Sequence, residues 1–142
     1  SHLFLLELKV IYAGRAPAAG KVPDDLKEIA AKLSGVLRFN TFEKAGEISV
    51  VGKEGDPIIA RIDDVYRADL RFGEYDPQSD SVRVSAFQLS RINPSGKDAG
   101  QVEPLLTTNL NLRLGQTAVV GATRQPESSR ALMLILTARA AE

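Results

Sequence analysis

The chain has 142 residues, 44% of them hydrophobic and 25% charged, which are the proportions of one ordinary globular domain. Its 18 basic and 18 acidic residues cancel and are interspersed, so the composition excludes a global field that would hold nucleic acid or an anionic membrane. Cysteine is absent, which excludes disulfides, thiolate metal sites and a cysteine nucleophile.

The first two residues, Ser1 and His2, resemble the remnant of a cleaved tag, so we treat residues 3–142 as a single β-rich domain. Because His2 is the one histidine of the chain, a Ser-His-Asp mechanism has no imidazole within that domain. The longest uncharged apolar stretch is far shorter than the roughly 20 residues of a spanning helix, so no membrane span is predicted.

A first strand is predicted over residues 3–13, because apolar side chains recur there at every second position. The members of this series are Phe4, Leu6, Leu8, Val10 and Tyr12. Glu7 and Lys9 fall on the other face. The strand is a candidate edge because it is terminal in sequence, and its apolar face is equally consistent with a central place.

A helix is predicted near residues 24–35, where apolar side chains follow the spacing of one helical stripe, expected to face the sheet. The stripe consists of Leu26, Ile29, Ala30 and Leu33. Pro23, Asp24 and Asp25 suit the first turn, and Asp25 with Glu28 has the spacing of a capping box. Gly35 is the expected stop at the C-terminal end.

Strand patterns then follow one another without a second helix. They cover residues 36–43, 47–52, 58–63, 65–72, 81–91, 105–114 and 117–123. A turn is predicted at Ala45-Gly46, and a loop over residues 93–100. A bulge is predicted near Ala86, because the apolar face switches there from Val84 to Phe87.

The final run, residues 131–138, reads ALMLILTA and is apolar on both faces. Such a strand must be covered on both sides, so we predict a central strand with Leu134 and Leu136 in the core. Consecutive strands without intervening helices pair antiparallel. The predicted fold class is therefore α+β, mostly antiparallel β, with about eight strands in a sandwich or strongly curled sheet and one packed helix.

Adjacent carboxylates are the candidates for a hydrolase by residue type, and they occur at Asp24-Asp25 and Asp63-Asp64. Neighbours on a strand point to opposite faces, so neither pair is expected to converge in a cleft. Helix capping is the ordinary interpretation of the first pair, and a solvated strand end or turn that of the second.

Residues 74–80 place oxygen-bearing side chains at alternate positions, as a calcium site would. These side chains belong to Glu74, Asp76, Gln78 and Asp80. The loop glycine and the final glutamate of an EF-hand are missing, and a hydrophilic turn built on Asp76-Pro77 is the alternative. Gly52 and Gly55 do not stand between a strand and a helix, so they indicate a hairpin turn rather than a phosphate loop.

Polar strand faces supply the remaining candidates. Four arginines fall on the polar faces of strands that we expect to be neighbours: Arg61, Arg67, Arg71 and Arg83. Cross-strand ion pairs with Asp63 and Asp69 are one interpretation, and an anion-binding or partner-binding strip is the other. Asn109 and Asn111 are either ligand-facing amides or ordinary polar residues of an outer face.

The order of strands over residues 66–138 resembles the terminal strands of the secretin family. The matching positions are Gly115, Gln116, Thr117, Val119, Val120 and Gly121, followed by Leu134, Leu136 and Thr137. The resemblance covers about half of the chain and does not include the family's long membrane-spanning hairpins. It implies an exported envelope protein with a part in secretion or pilus machinery, and convergence of β-hairpins is the alternative.

From these observations we assign no catalytic, cofactor-binding or metal-binding residue, and we expect no cofactor. We expect a non-enzymatic protein-interaction or structural domain of a larger, envelope- or secretion-associated polypeptide, acting through a protein partner or through self-association at a β-edge or apolar patch. No nucleic acid partner is expected. The alternative is a small-molecule or glycan-binding module that uses a groove between the helix and the sheet.

Overall fold

Alternating apolar and polar residues produce eight β-strands in the computed structural model, which describes residues 2–15, 21–31, 39–124 and 130–141. The strands are β1 (Leu3–Gly14), β2 (Thr41–Lys53), β3 (Pro57–Ile62), β4 (Tyr66–Asp76), β5 (Ser81–Ile92), β6 (Val102–Arg113), β7 (Thr117–Arg124) and β8 (Ala131–Ala140). A 3₁₀ turn at Asp24–Leu26 leads into a short helix, α1, described over residues 27–31.

The strands form two antiparallel sheets of four strands each. Sheet A has the order β2-β1-β8-β7, and sheet B has the order β3-β4-β5-β6. The chain passes from one sheet to the other at two corners, between β2 and β3 and between β6 and β7. The predicted fold class, mostly antiparallel β with one short helix, is confirmed.

The main core lies between the two sheets. Sheet A contributes alternate side chains of its central strands, namely Phe4, Leu6, Leu8, Val10, Leu132, Leu134, Leu136 and Ala138. Sheet B contributes Ile62, Tyr66, Ala68, Leu70, Phe72, Val82, Val84, Phe87, Leu89 and Leu112. Apart from the step between Val84 and Phe87, both sets follow the period of two, so for the alternating strands the pattern also predicted which face is buried.

Strand β8 is covered on both faces, as its composition predicted. Leu134 and Leu136 point into the main core and are 1% and 0% exposed. Met133 and Ile135 point the other way and form a second cluster beneath α1. The helix therefore forms a third layer on the outer face of sheet A.

The helical stripe faces that second cluster. Leu26 and Ala30 are buried in it, and Ile29 packs against it from a partly buried position. The prediction that the stripe faces the sheet is confirmed for these three positions. Leu33 and the expected stop at Gly35 lie outside the described residues.

The turn predicted at Ala45-Gly46 is wrong. Strand β2 runs through both residues, and its ladder with β1 shifts register there, between Val10 and Ile11. The glycine is needed for a different reason: a Cβ at position 46 would lie 2.6 Å from Cγ2 of Ile62 in sheet B. Of the two places open to β1, the structure gives the central one, between β2 and β8.

The bulge predicted near Ala86 is confirmed. Both ladders of β5 shift register around this residue, which has a φ of 52°. Its backbone N–H donates to Oδ1 of Asn109 at 2.9 Å. Asn109 thus satisfies a group that the bulge removes from the ladder, while Asn111 lies opposite Arg83 in the same sheet.

Glycines also allow the two sheets to approach closely at both corners. A Cβ at Gly52 would lie 2.9 Å from both Ile58 and Phe72. On the other side, Gly121 has a φ of 59°, and a Cβ there would lie 2.8 Å from Leu106. The sandwich is therefore narrow at both corners, although no β-ladder joins the sheets there.

Candidate functional site

The first carboxylate pair holds α1 against sheet A. Asp25 accepts from Nζ of Lys44 at 2.5 Å and lies 3.2 Å from Nζ of Lys9, whereas Asp24 pairs with Lys27 at 2.9 Å. The Lys44 hydrogen bond is the main cause that lowers the pKa of Asp25. Both carboxylates lie in the first turn, as predicted, and the 3₁₀ turn itself starts without a side-chain cap at Pro23. The strong partner of Asp25 is a lysine on a strand that is distant in sequence.

The second carboxylate pair forms the tight turn between β3 and β4. Asp63 and Asp64 have φ values of 53° and 54°, and the N–H of Val65 donates to the carbonyl of Ile62 at 3.1 Å. Two consecutive positive φ values define a type I′ turn, for which aspartate is a tolerated residue. The turn interpretation is confirmed, and the two carboxylates have a structural role.

Residues 74–80 comprise the last residues of β4 and the turn that leads to β5, and Asp76 and Asp80 accept hydrogen bonds within this segment. Asp76 accepts from the N–H of Gln78 at 3.0 Å and from the hydroxyl of Ser79 at 2.9 Å, and Asp80 accepts from the hydroxyl of Tyr75 at 2.6 Å. Among the described residues, no three histidine, cysteine or acidic side chains converge as metal ligands. These bonds give the segment the role of a hydrophilic turn.

The glycines of GKEGD stand at the corner between β2 and β3. Gly55 has a φ of 88°, and the N–H of Asp56 donates to the carbonyl of Lys53 at 3.0 Å. The segment connects two strands and no helix follows it. The predicted hairpin is wrong, however, because β2 and β3 belong to different sheets and the segment turns the corner between them.

Four arginines share the outer face of sheet B, which no other described segment covers and which we call the arginine face. Arg61 lies directly across from Arg67, and Arg71 and Arg83 lie farther along β4 and β5. Arg67 binds the carboxylate of Asp69 through two nitrogens, and Arg71 donates to the carbonyl of Gly55 at 2.6 Å. The four arginines thus lie on one face of the sheet, as the alternating pattern predicted.

Ion pairing on the arginine face is less extensive than the sequence suggested. Asp69 pairs with Arg67 along the same strand, and the acidic partner of Arg61 is Asp64, at 3.7 Å. Among the described ion pairs, Asp69 and Asp64 are the acidic partners of these arginines, and Arg71 and Arg83 have none. Ile59, directly across from Asp69, is 65% exposed. The face therefore combines an excess of positive charge with an exposed aliphatic side chain.

A tyrosine pair closes one end of the sandwich. The hydroxyls of Tyr12 and Tyr66 lie 2.5 Å apart, and the guanidinium of Arg130 lies 4.4 Å from the centre of the Tyr12 ring. Burial, followed by the bond to Tyr12, raises the pKa of Tyr66 to about 12, against the lowering effect of Arg91. The Tyr66 hydroxyl is therefore protonated at neutral pH, and its hydrogen bond with the Tyr12 hydroxyl fastens β1 to β4.

The opposite end of the sandwich opens into a cleft of about 550 Å³. Its walls come from the start of β1, the end of β8 and the two turns that follow β4 and β6. The lining residues are His2, Leu3, Phe4, Tyr75, Asp80, Leu114 and Ala140. The volume is in the range of small-molecule sites, and the mouth of a β-barrel or sandwich is a common place for them.

The groove between the helix and the sheet is much smaller, about 80 Å³. Charged side chains of α1 and β1 line it, among them Lys9, Asp25 and Glu28. Asp25 is held there by the two lysines that fasten the helix. The larger space for a ligand therefore lies at the end of the sandwich.

The residues of the cleft were missed by the sequence analysis because they come from segments that are far apart in the chain. His2 was set aside with the presumed tag remnant, and Tyr75 and Asp80 were weighed as parts of a turn. No spacing rule relates these positions to Leu114. The apolar series that contains Phe4 and Leu6 indicated that the Phe4 side chain is buried. It gave no sign that a cleft lies above the Phe4 ring.

No helix in the described ranges has the length and hydrophobicity needed to cross a membrane. Comparison of the chain with protein-family models, with curated proteins and with solved structures gives no match. The resemblance of residues 66–138 to secretin strands remains a prediction. The arginine face and the cleft are the two surfaces of the described chain that bear on function.

Proposed function

We propose that this chain is a non-enzymatic interaction domain that binds an acidic segment of a protein partner on the arginine face. The observation that carries the proposal is the grouping of Arg61, Arg67, Arg71 and Arg83 on one uncovered sheet face of a chain whose net charge is zero. Arginine is enriched at protein interfaces because its planar fork binds carboxylates with two hydrogen bonds.

The exposed Ile59 side chain favours a protein partner over a nucleic acid. It lies within the face, across from Asp69, where a partner's aliphatic side chain can pack against it while carboxylates reach the arginines. Single-stranded nucleic acids are held largely by stacking on aromatic side chains, and the outward residues of β3 and of the paired part of β4 are not aromatic. Self-association through two arginine faces is disfavoured, because like charges would oppose each other.

The resemblance to secretin strands supports a place for this domain in a larger envelope-associated polypeptide. That part of the proposal is tested by the reading frame that encodes the chain. A signal peptide upstream or a channel domain in the same polypeptide supports it, and a frame with neither contradicts it.

Binding is tested with a labelled peptide of alternating glutamate and leucine, measured by fluorescence anisotropy at low and at physiological salt. We expect saturable binding that weakens with salt and that falls by about tenfold in the Arg83→Glu variant. Lys97→Glu is the matched control, because Lys97 is exposed on the loop after β5, away from the sheet.

Two results would overturn the proposal. One is equal affinity of the Arg83→Glu and Lys97→Glu variants for the peptide. The other is tighter binding of an oligonucleotide of the same charge, with the same dependence on Arg83, which would assign the face to nucleic acid.

A further inference from the structure

The cleft at the end of the sandwich has an apolar base and an acidic rim. Phe4 lies at its base with 1% of its surface exposed, and Leu3, Leu114 and Ala140 line its sides. Asp80 reaches the cleft from the turn after β4, where its carboxylate accepts from the Tyr75 hydroxyl at 2.6 Å. A ligand in this space therefore contacts apolar side chains inside the cleft and a negative charge at its opening.

Aromatic rings give the cleft a flat stacking surface. The rings of Phe4 and Tyr75 are 6.1 Å apart at an angle of 37°, and Phe72 supports Phe4 from the core at 5.7 Å. Tilted and offset arrangements of this kind are the favourable ones for aromatic pairs. The surface of Tyr75 that faces the cleft is thus held in place from both sides, by Phe4 and by Asp80.

A second carboxylate, that of Glu54, lies beside the cleft. It accepts from the backbone N–H of His2 at 2.9 Å, lies 2.7 Å from Nδ1 of the His2 ring, and accepts from the N–H of Tyr75 at 3.2 Å. Hydrogen bonds from the backbone and then the ring of His2 lower the pKa of Glu54 to about 2. The group is therefore ionised at neutral pH.

The His2 ring shows what kind of group these surroundings accept. Its centre lies 4.6 Å from that of Tyr75, and the same ring bonds Glu54. It is a planar ring with an N–H donor, held by one aromatic surface and one carboxylate. Because His2 belongs to the segment interpreted as a tag remnant, the inference rests on the surroundings of the ring, namely Phe4, Glu54, Tyr75, Asp80 and Leu114.

We propose that the cleft is a binding site for a small amphiphilic organic cation, a ring or short hydrocarbon body that carries a protonated amine. The body lies between Tyr75, Phe4 and Leu114, and the ammonium group points to the carboxylates of Asp80 and Glu54. A cation next to an aromatic surface gains from the ring quadrupole in addition to the ion pair. This site is separate from the arginine face, and its proposal does not depend on the function proposed above.

The test uses phenethylamine as the probe and 2-phenylethanol as its neutral counterpart, with binding followed by NMR shifts of the backbone amides around the cleft. We expect saturable shifts at Tyr75, Leu114 and Ala140 with phenethylamine and an affinity about tenfold weaker with the alcohol. Replacing the competing ring in His2→Ala should tighten binding of the amine severalfold.

Three further variants distinguish binding in the cleft from general weak association. Asp80→Asn should lose most of the preference for the amine, and Asp98→Asn, an equal change on the loop after β5, should keep it. Ala140→Trp should block the cleft, since Ala140 is exposed at the rim and its replacement leaves the core intact.

The proposal is overturned if neither the parent chain nor His2→Ala shows shifts up to about 10 mM phenethylamine, a limit that corresponds to a negligible affinity. It is equally overturned if a folded Ala140→Trp protein binds as before, or if the alcohol and the amine bind alike. Arg83→Glu serves as a cross-check, because loss of the acidic peptide with unchanged amine binding would show that the two surfaces act independently.

Discussion

Truncation of Leu136 to alanine is the sharpest test of the doubly covered strand β8. Its side chain is 0% exposed and points into the core between the sheets, next to side chains of β1 and sheet B. Removing its three outer carbons forfeits roughly 2 kcal/mol of transfer free energy at about 0.8 kcal/mol per methylene. A residual cavity of about 50 Å³ adds roughly 1 kcal/mol at about 24 cal/mol per Å³. We therefore expect the free energy of unfolding to fall by about 3 kcal/mol.

Two neighbouring substitutions calibrate that value. Ile135→Ala removes a buried side chain from the other face, where α1 is a single short helix that can settle into part of the space, so a loss of about 2 to 3 kcal/mol is expected. Val119→Ala is the control: Val119 lies across from Ile135 in β7 but is 41% exposed, and its truncation should cost less than about 1 kcal/mol.

The assay is equilibrium urea unfolding of the three variants and the parent, followed by circular dichroism. The slope of the transition should be unchanged, so that the shifts in midpoint report stability alone. A Leu136→Ala protein that loses no more stability than Val119→Ala would refute the assignment of β8 to the centre of three layers.

Three further outcomes are expected from local geometry. Ala86→Gly should raise the free energy of unfolding by about 1 kcal/mol, because alanine at a φ of 52° bears a steric cost that glycine avoids; an unchanged urea midpoint would contradict the bulge conformation. Gly52→Ala should lower the free energy of unfolding by about 1 to 2 kcal/mol, since its Cβ would lie 2.9 Å from Phe72. Differential scanning calorimetry measures this effect, and an unchanged melting temperature would mean that the corner is more open than that distance indicates. In the Asp25→Asn variant the free energy of unfolding should fall less steeply as the pH is lowered into the acid range. The pKa of Asp25 is lowered mainly by Lys44, so the stability that this carboxylate contributes is present above the pKa of the unfolded chain and is lost as the pH falls below about 4. The effect should stay under about 1 kcal/mol because the pair is partly exposed. Urea titrations at neutral and acid pH measure it, and an equal loss of stability between the two pH values in both proteins would count against it.

Local periodicity predicted much of the fold, because burial on one face constrains every second residue of a strand. It identified the central place of β8 from an uninterrupted apolar run, and the bulge at Ala86 from a switch of the apolar face. It also placed the four arginines on one polar face, since alternate residues of neighbouring strands share a side.

The failures share a physical cause, which is that one residue type serves several local purposes. Gly46 was interpreted as a turn residue, yet the structure needs it for the close approach of Ile62 from the other sheet. Asp25 was interpreted through its place at the start of the helix alone, yet its carboxylate binds a lysine of β2. In both cases the deciding neighbour is distant in sequence, so no window of the chain contains the information. The cleft was unpredictable for the same reason.

The pairing of β1 with β8 brings the two ends of the described chain side by side. Phe4 lies opposite Ala140, and the N–H of Ala141 donates to the carbonyl of Leu3 at 2.9 Å. Every other ladder joins strands that follow one another in sequence, so β1–β8 is the one ladder whose formation must close a loop of nearly the whole chain. A short linker between the ends, with new termini opened in the turn after β4, would turn this slowest contact into a local hairpin and should speed folding. Adjacent ends also mean that the domain can be inserted into a surface loop of a host protein without stretching the host chain.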